Sequence, residues 1–166
     1  MVLNAKPKKI DDPVDEEFVN SPSDLDDKTH AEMRMLYEES TKTMRFVKDL
    51  QWKTVGATLL TYFALIYIAG FLHADNSLAN KLMAIALLLA TSVIFTLIIY
   101  QFWMHNEIAK IDRMGAHMSS LFKTVRAIKS AREGNLHRYT LLVFMAVSVA
   151  LGALVVHLAL RHIATG

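Results

Sequence analysis

Along this chain, polar and apolar positions separate into three long uncharged runs divided by charged, periodic segments. Residues 82–103 read LMAIALLLATSVIFTLIIYQFW, 22 residues without a charged side chain. As a helix this run is roughly 33 Å long, enough to cross a hydrocarbon layer of about 30 Å. It is apolar all round, with no polar stripe at the helical period, and so predicts a membrane span rather than a soluble helix. Residues 55–72 are uncharged over 18 positions, and residues 139–160 are interrupted only by His157. The expected fold is an all-α integral membrane protein with three transmembrane helices.

The segments between the runs carry a different pattern. In residues 29–54, Met33, Leu36, Tyr37, Ser40, Met44 and Val47 recur at steps of mostly three and four, one face of an amphipathic helix. Thr29 and Glu32 fit a capping box at its start. Arg34/Glu38, Glu38/Lys42 and Arg45/Asp49 fit i,i+4 ion pairs on its outer face. Neither proline nor glycine falls between Thr29 and Val55. The segment therefore predicts a long cytoplasmic extension of helix 1, continuous with the first span. Residues 73–81 form a short outer loop in which Asp75, Asn76 and Ser77 are cap and turn residues. In residues 104–138, Ile108, Ile111, Met114, Met118, Leu121, Phe122, Val125 and Ile128 make an apolar stripe. Lys110, Arg113, Lys123, Arg126, Lys129 and Arg132 lie off it. This predicts a basic amphipathic helix, cytoplasmic or interfacial, between spans 2 and 3. Because the chain must return to the membrane at Tyr139, a break is expected at Gly115, and Gly134-Asn135 is expected to end the returning helix.

Charge sets the orientation. Of eighteen Lys/Arg, nine fall in residues 1–54 and seven in 104–138, whereas 73–81 holds only Lys81 and the C-terminal end, 161–166, only Arg161. Positive charge stays on the cytoplasmic side during insertion, so the N-terminus is expected inside and the C-terminus outside a bacterial-type inner membrane. Trp52, Trp103 and Tyr139 stand at the three inner boundaries, where amphipathic rings anchor. A pI of 8.8 thus reads as a topology signal, and nucleic acid is not an expected partner. Residues 1–28 hold all three prolines and eight acidic against four basic side chains. They are expected to be a largely disordered acidic tail or an arm that folds on a partner.

Candidate chemistry is sparse. There is no cysteine, which excludes disulfides, thiolate metal sites and thiol nucleophiles. His73, Asp75, His157, Arg161 and His162 gather near the outer face, but their spacing puts no two histidines on one helix face as a ligand pair. No metal or cofactor is expected. His157 is the single ionisable group inside a span and hence an intramembrane candidate. Thr58, Thr61, Thr91, Ser92, Thr96 and Ser148 could line a pore or bond their own i−4 carbonyls. Ala146/Ala150 and Ser148/Gly152 are small-xxx-small pairs suited to close helix packing. Without a nucleotide motif or a Ser/His/Asp set, an enzyme is not expected. Contacts with lipid of the anionic leaflet or with a partner are assigned to Trp52, Trp103, Tyr139, Met118, Phe122, Lys123, Arg126 and Lys129.

Around Tyr37, Ser40, Phe46 and Trp52 the chain reads YEESTKTMRFVKDLQW, a helix entering the first of two close spans. Over residues 33–103 this resembles small oligomeric bacterial membrane proteins of the RipA type and, more distantly, SLATT-type membrane domains. The resemblance implies a homo-oligomer with cytoplasmic helices, and its SLATT arm a pore. Those families are mainly two-span hairpins, so the third span departs from them. The expected role is a scaffold or accessory subunit of a membrane complex, binding itself or a larger assembly. A homo-oligomeric pore or membrane-disrupting effector is the alternative.

Overall fold

The computed structural model describes residues 19–128 and 131–165; among them every regular element is helical. The elements are α1 (Asp27–Phe71), α2 (Asn76–Gly115), α3 (Ser120–Ala127) and α4 (Ala131–Thr165). The three long helices, α1, α2 and α4, each pack against the other two. All three are long and apolar enough to cross a membrane, and only 28%, 28% and 22% of their most apolar windows are buried in the bundle. The rest of that surface, including Leu60, Phe63, Leu88, Phe95, Val143 and Leu158, is apolar and outward-facing. Water would reject it and lipid accepts it, which makes this a membrane protein.

Inside the bundle the buried positions form narrow seams. In α1 they are Val47, Gln51, Val55, Thr58, Tyr62, Leu65 and Ala69; in α2, Ala79, Leu82, Ala86, Ala90, Val93, Leu97, Gln101 and Met104. In α4 they are Met145, Val149, Ala153, Val156 and Leu160. Steps of three and four are the spacing of two-face contact between nearly aligned helices. Small side chains bring the backbones close. A Cβ on Gly152 would lie 2.7 and 2.9 Å from the Tyr62 ring and 3.1 Å from Leu59 Cδ2. Ser148, one turn back, is half-buried, while Ala146 is half-buried and Ala150 exposed. Of the two small pairs, Ser148/Gly152 carries the contact with α1 and Ala150 turns away from the bundle.

Helix ends follow local chemistry, in places not where the sequence pattern suggested. The α1 N-cap is Asp26, not Thr29. Its carboxylate accepts from the Lys28 and Thr29 amides at 3.0 and 3.1 Å and from the Thr29 hydroxyl at 2.6 Å. A carboxylate that reaches two amides outcompetes a hydroxyl three residues on, so Thr29 becomes a donor to the cap. These bonds hold the Asp26 carboxyl below its ordinary range, the Thr29 hydroxyl first among them. Ahead of this cap Asn20 and Ser21 bond to α3; residues 1–18, most of the tail expected to be disordered, lie outside the described residues. Arg34 pairs with Glu38, but Asp49 pairs with Lys53 rather than Arg45.

At the hairpin end α1 closes in a Schellman arrangement. The Ala74 amide donates to Ala69 O at 2.9 Å and the His73 amide to Gly70 O at 3.3 Å, with His73 at φ 50°. Ala69 and Ala74 are both buried, supplying the apolar contact of that motif. Asp75 then caps α2 by accepting from the Leu78 amide. At the opposite end α2 stops at Gly115 as expected. Gly134-Asn135, however, does not end a helix; it lies inside α4, which begins at Ala131. A glycine costs a helix interior about 1 kcal/mol; Gly134 is only the fourth residue of this 35-residue helix, with nothing within 4 Å of where its Cβ would stand.

Gly152→Ala should therefore destabilise the bundle by about 1–3 kcal/mol through the clash with a buried ring. Gly56→Ala, where nothing lies within 4 Å, should be neutral or mildly stabilising. Thermal unfolding of both variants in one detergent checks this; equal midpoints would remove the close approach as a stabilising feature.

Candidate functional site

Beyond Trp52 and Trp103 the α1–α2 pair does not splay. The buried seam continues through Ser40 and Val47 on α1 and Met104, Glu107, Ile111 and Met114 on α2. The charged end of the molecule is thus a two-helix stalk with its own core. Glu107, outside the uncharged run, is the buried charge of that core. Lys110 Nζ donates to it at 2.8 Å, and this bond, helped by Ser40, holds the carboxyl below its ordinary value of 4.5 against the opposing effect of burial. The lysine partner lies one turn on along the same helix, so the pair satisfies the buried carboxylate within α2, and Ser40 is its contact from α1.

Onto this stalk folds α3. Ser119 caps it by accepting from the Phe122 amide at 3.3 Å. Phe122 meets the Tyr37 ring edge-on at 5.6 Å between centroids and lies 3.4 Å from where a Gly115 Cβ would stand. One turn on, Arg126 binds Asp112 of α2. The first turn of α3 is also held by the N-terminal arm. Ser21 N donates to Ser120 Oγ at 2.8 Å, Ser120 N to Ser21 O at 3.0 Å, and the Leu121 amide to Asn20 Oδ1 at 3.2 Å. Ser23 Oγ donates to His117 O at 2.9 Å. Between α1, α2, α3 and the start of α4 remains a cleft of about 700 Å³, walled by Met44, Ile108 and Ile111 and edged by Asp112 and Arg126.

The contact residues expected from sequence thus divide. Phe122 and Arg126 face the stalk, and Met118 is half-buried, whereas Lys123 is exposed and Lys129 lies outside the described residues. Leu121, Val125 and Ile128, at i, i+4 and i+7, form a neighbouring strip, about 110° round the helix axis from Phe122 and Arg126, and are 49%, 58% and 82% exposed. The expected helix is shorter than the stripe implies: eight residues, with Arg132 belonging to α4. Trp52, Trp103 and Tyr139 are all half-exposed.

In the spans, Thr58, Thr61, Thr91, Thr96 and Ser148 each donate to the carbonyl four residues back, so these hydroxyl protons are used within their own helices. His157 is half-buried with Nδ1 against Met83 Sδ. His73, Asp75, Arg161 and His162 are exposed at the hairpin end, and among the described residues no group of three His, Asp or Glu is set to hold a metal ion.

Sequence reasoning missed one set. Gln51 and Arg138 each stand one residue before a boundary aromatic and Gln101 two before Trp103, and each of the three is buried. Gln51 Nε2, Gln101 Nε2 and Arg138 Nε and Nη1 have no hydrogen-bond partner. Their place within two residues of Trp52, Trp103 and Tyr139 was the available signal, since a polar residue near an anchor ring but on a different helical face points inward. Comparison of the chain with protein-family models, curated proteins and solved structures finds no match in any of the three.

Phe122→Asp should release α3 from the stalk at any ionic strength, because ring packing is not screened by salt. Its signature is faster amide exchange across 118–128 with the 82–103 helix unchanged. Glu107 adds a pH dependence. Its folded pKa is depressed, so its contribution is complete above 4.5 and is lost as pH falls through the depressed value. Glu107→Gln should abolish that acid-side loosening of the stalk, measured by exchange of residues 36–47 and 104–114.

Proposed function

We propose that this protein is a non-enzymatic scaffold or accessory subunit of a membrane complex, and that the outer face of α3 is its principal contact. The supporting observation is the row Leu121, Val125 and Ile128, exposed on a helix whose other face is already occupied. Its position decides what covers it. Gly115 lies twelve residues beyond Trp103 and Ala131 eight before Tyr139. Along helix axes these are about 18 and 12 Å, and a tilt of about 20° shortens them only slightly. A headgroup layer is only about 5–8 Å thick. In this reading α3 stands in the cytoplasm clear of the bilayer, so its occupant is protein and the lipid-surface role expected for this helix recedes. Met35, Leu36 and Phe46, exposed on the outer side of α1, extend the apolar surface along the stalk.

The orientation that goes with this reading, charged end inside an inner membrane, rests on the distribution of Lys and Arg. The pore reading gains nothing from the span hydroxyls, which donate to their own helices. Val125→Asp, which touches neither Phe122 nor Arg126, should leave fold and insertion unchanged. It should abolish stoichiometric association in mild detergent, measured by mass. A variant that retains the wild-type mass would move the contact elsewhere. Reporter fusion at Gly166 should be active only outside the cytoplasm.

A further inference from the structure

At the level where α2 and α4 leave the apolar layer, the bundle holds a buried cation that is only partly satisfied: its guanidinium carbon lies 5.0 Å from the Tyr139 ring centroid, and two of its nitrogens are open. Arg138 is 7% exposed; its Nη2 reaches Tyr139 Oη at 3.4 Å, and its Nε and Nη1 have no partner. Gln101, also 7% exposed, has an unpartnered amide nitrogen. The two belong to one level. Nineteen residues before His157 stands Arg138, and nineteen beyond Met83 stands Phe102, neighbour of Gln101; the His157–Met83 contact sets that antiparallel register. Gln51, with a third unpartnered buried amide, is about one turn deeper, by the register that Gly152 and Tyr62 set between α4 and α1. All the open groups are N–H donors, which excludes a metal ion and calls for an acceptor. A buried guanidinium calls for one that is charged, and it matches phosphate geometry in particular.

Beside this cluster a groove of about 250 Å³ runs between α2 and α4, lined by Ile98, Gln101, Phe102, His105, Tyr139 and Leu142. His105, Gln101 and Tyr139 are at the end toward water, and Ile98 and Leu142 lie deeper. A polar mouth over an apolar floor at the membrane boundary is the shape of a lipid's headgroup and upper acyl chain. We propose that Arg138 and Gln101 bind the phosphate of an anionic phospholipid whose chain lies along the Ile98–Leu142 groove. The inference rests on the membrane-spanning reading of the bundle and is independent of what α3 binds. Lipid contact in this chain then sits at a built site on α2 and α4, and the exposed lysines of the charged end are not needed for it.

The test is native mass spectrometry of the full chain in non-ionic detergent, titrated separately with dioleoyl phosphatidylglycerol and dioleoyl phosphatidylcholine. Wild type should retain the anionic lipid, and Arg138→Gln should weaken that retention by about tenfold or more while leaving phosphatidylcholine unchanged. Gln101→Leu should give a smaller loss, Arg138→Lys a partial rescue, and Arg113→Gln, an exposed charge elsewhere, no change. Equal retention of phosphatidylglycerol by wild type and Arg138→Gln, at equal helix content, overturns the proposal. If Arg138→Gln does not fold, wild-type retention by both Gln101→Leu and Arg138→Lys overturns it in the same way. Displacement of the lipid by inorganic phosphate alone would assign the site to a soluble anion and overturn the lipid assignment.

Discussion

Close backbone approach is what the bundle depends on. In a membrane, lipid chains solvate leucine as well as another helix does, so burial of apolar area contributes little to helix pairing there. What remains is dense packing, and it requires small side chains where helices cross. The seams supply them: Ala69, Ala79, Ala86, Ala90 and Ala153 are all buried, and Gly152 admits the Tyr62 ring where a Cβ could not stand. Large side chains such as Phe63, Leu88, Phe95 and Phe144 are turned outward to lipid. This reverses the size order of a soluble core, and it follows from the solvent rather than from any special sequence.

Past the boundary the solvent changes and the same seam changes character. On the stalk, Val47, Met104, Ile111 and Met114 are buried as in a soluble coiled coil, and hydrophobic burial again favours pairing. One pair of helices therefore obeys two packing regimes along its length. Glu107 sits in the second regime, where a lysine one turn away and a serine across the interface meet its needs. Thr58, in the first, has only its own backbone to bond.

How far the sequence discloses this follows from the same division. The three spans are legible because uncharged runs of about 20 residues have one common explanation. The stalk faces are legible because Ser40, Val47, Ile111 and Met114 keep a helical period among charged neighbours. Inside the spans the period vanishes, since every face is apolar, and the inward face at Tyr62 or Gly152 could not be told from the lipid face. The turn at Gly115 was readable from geometry, but the start of α4 was not: Gly134 looked like a stop and lies in the helix's first turns. Asp26 as N-cap was hidden by a capping box three residues on. His73 in the left-handed position was hidden because that place usually belongs to glycine.

The distribution of positive charge carries the last step. Counted along the chain, Arg138 is one more cation on the charged side, indistinguishable from Arg113 or Lys123 and sufficient to help set orientation. In the fold it differs from both: they are exposed, and it is buried beside Tyr139 with two nitrogens open. Hydrocarbon on one side denies its guanidinium water, and Tyr139 meets it only in part. The proposed lipid phosphate is the anion that the headgroup layer supplies at that depth. The exposed cations need no answer and contribute through their number alone. In the proposed readings, orientation and lipid recognition separate onto different members of one charge pattern, and burial, which no charge count contains, is what separates them.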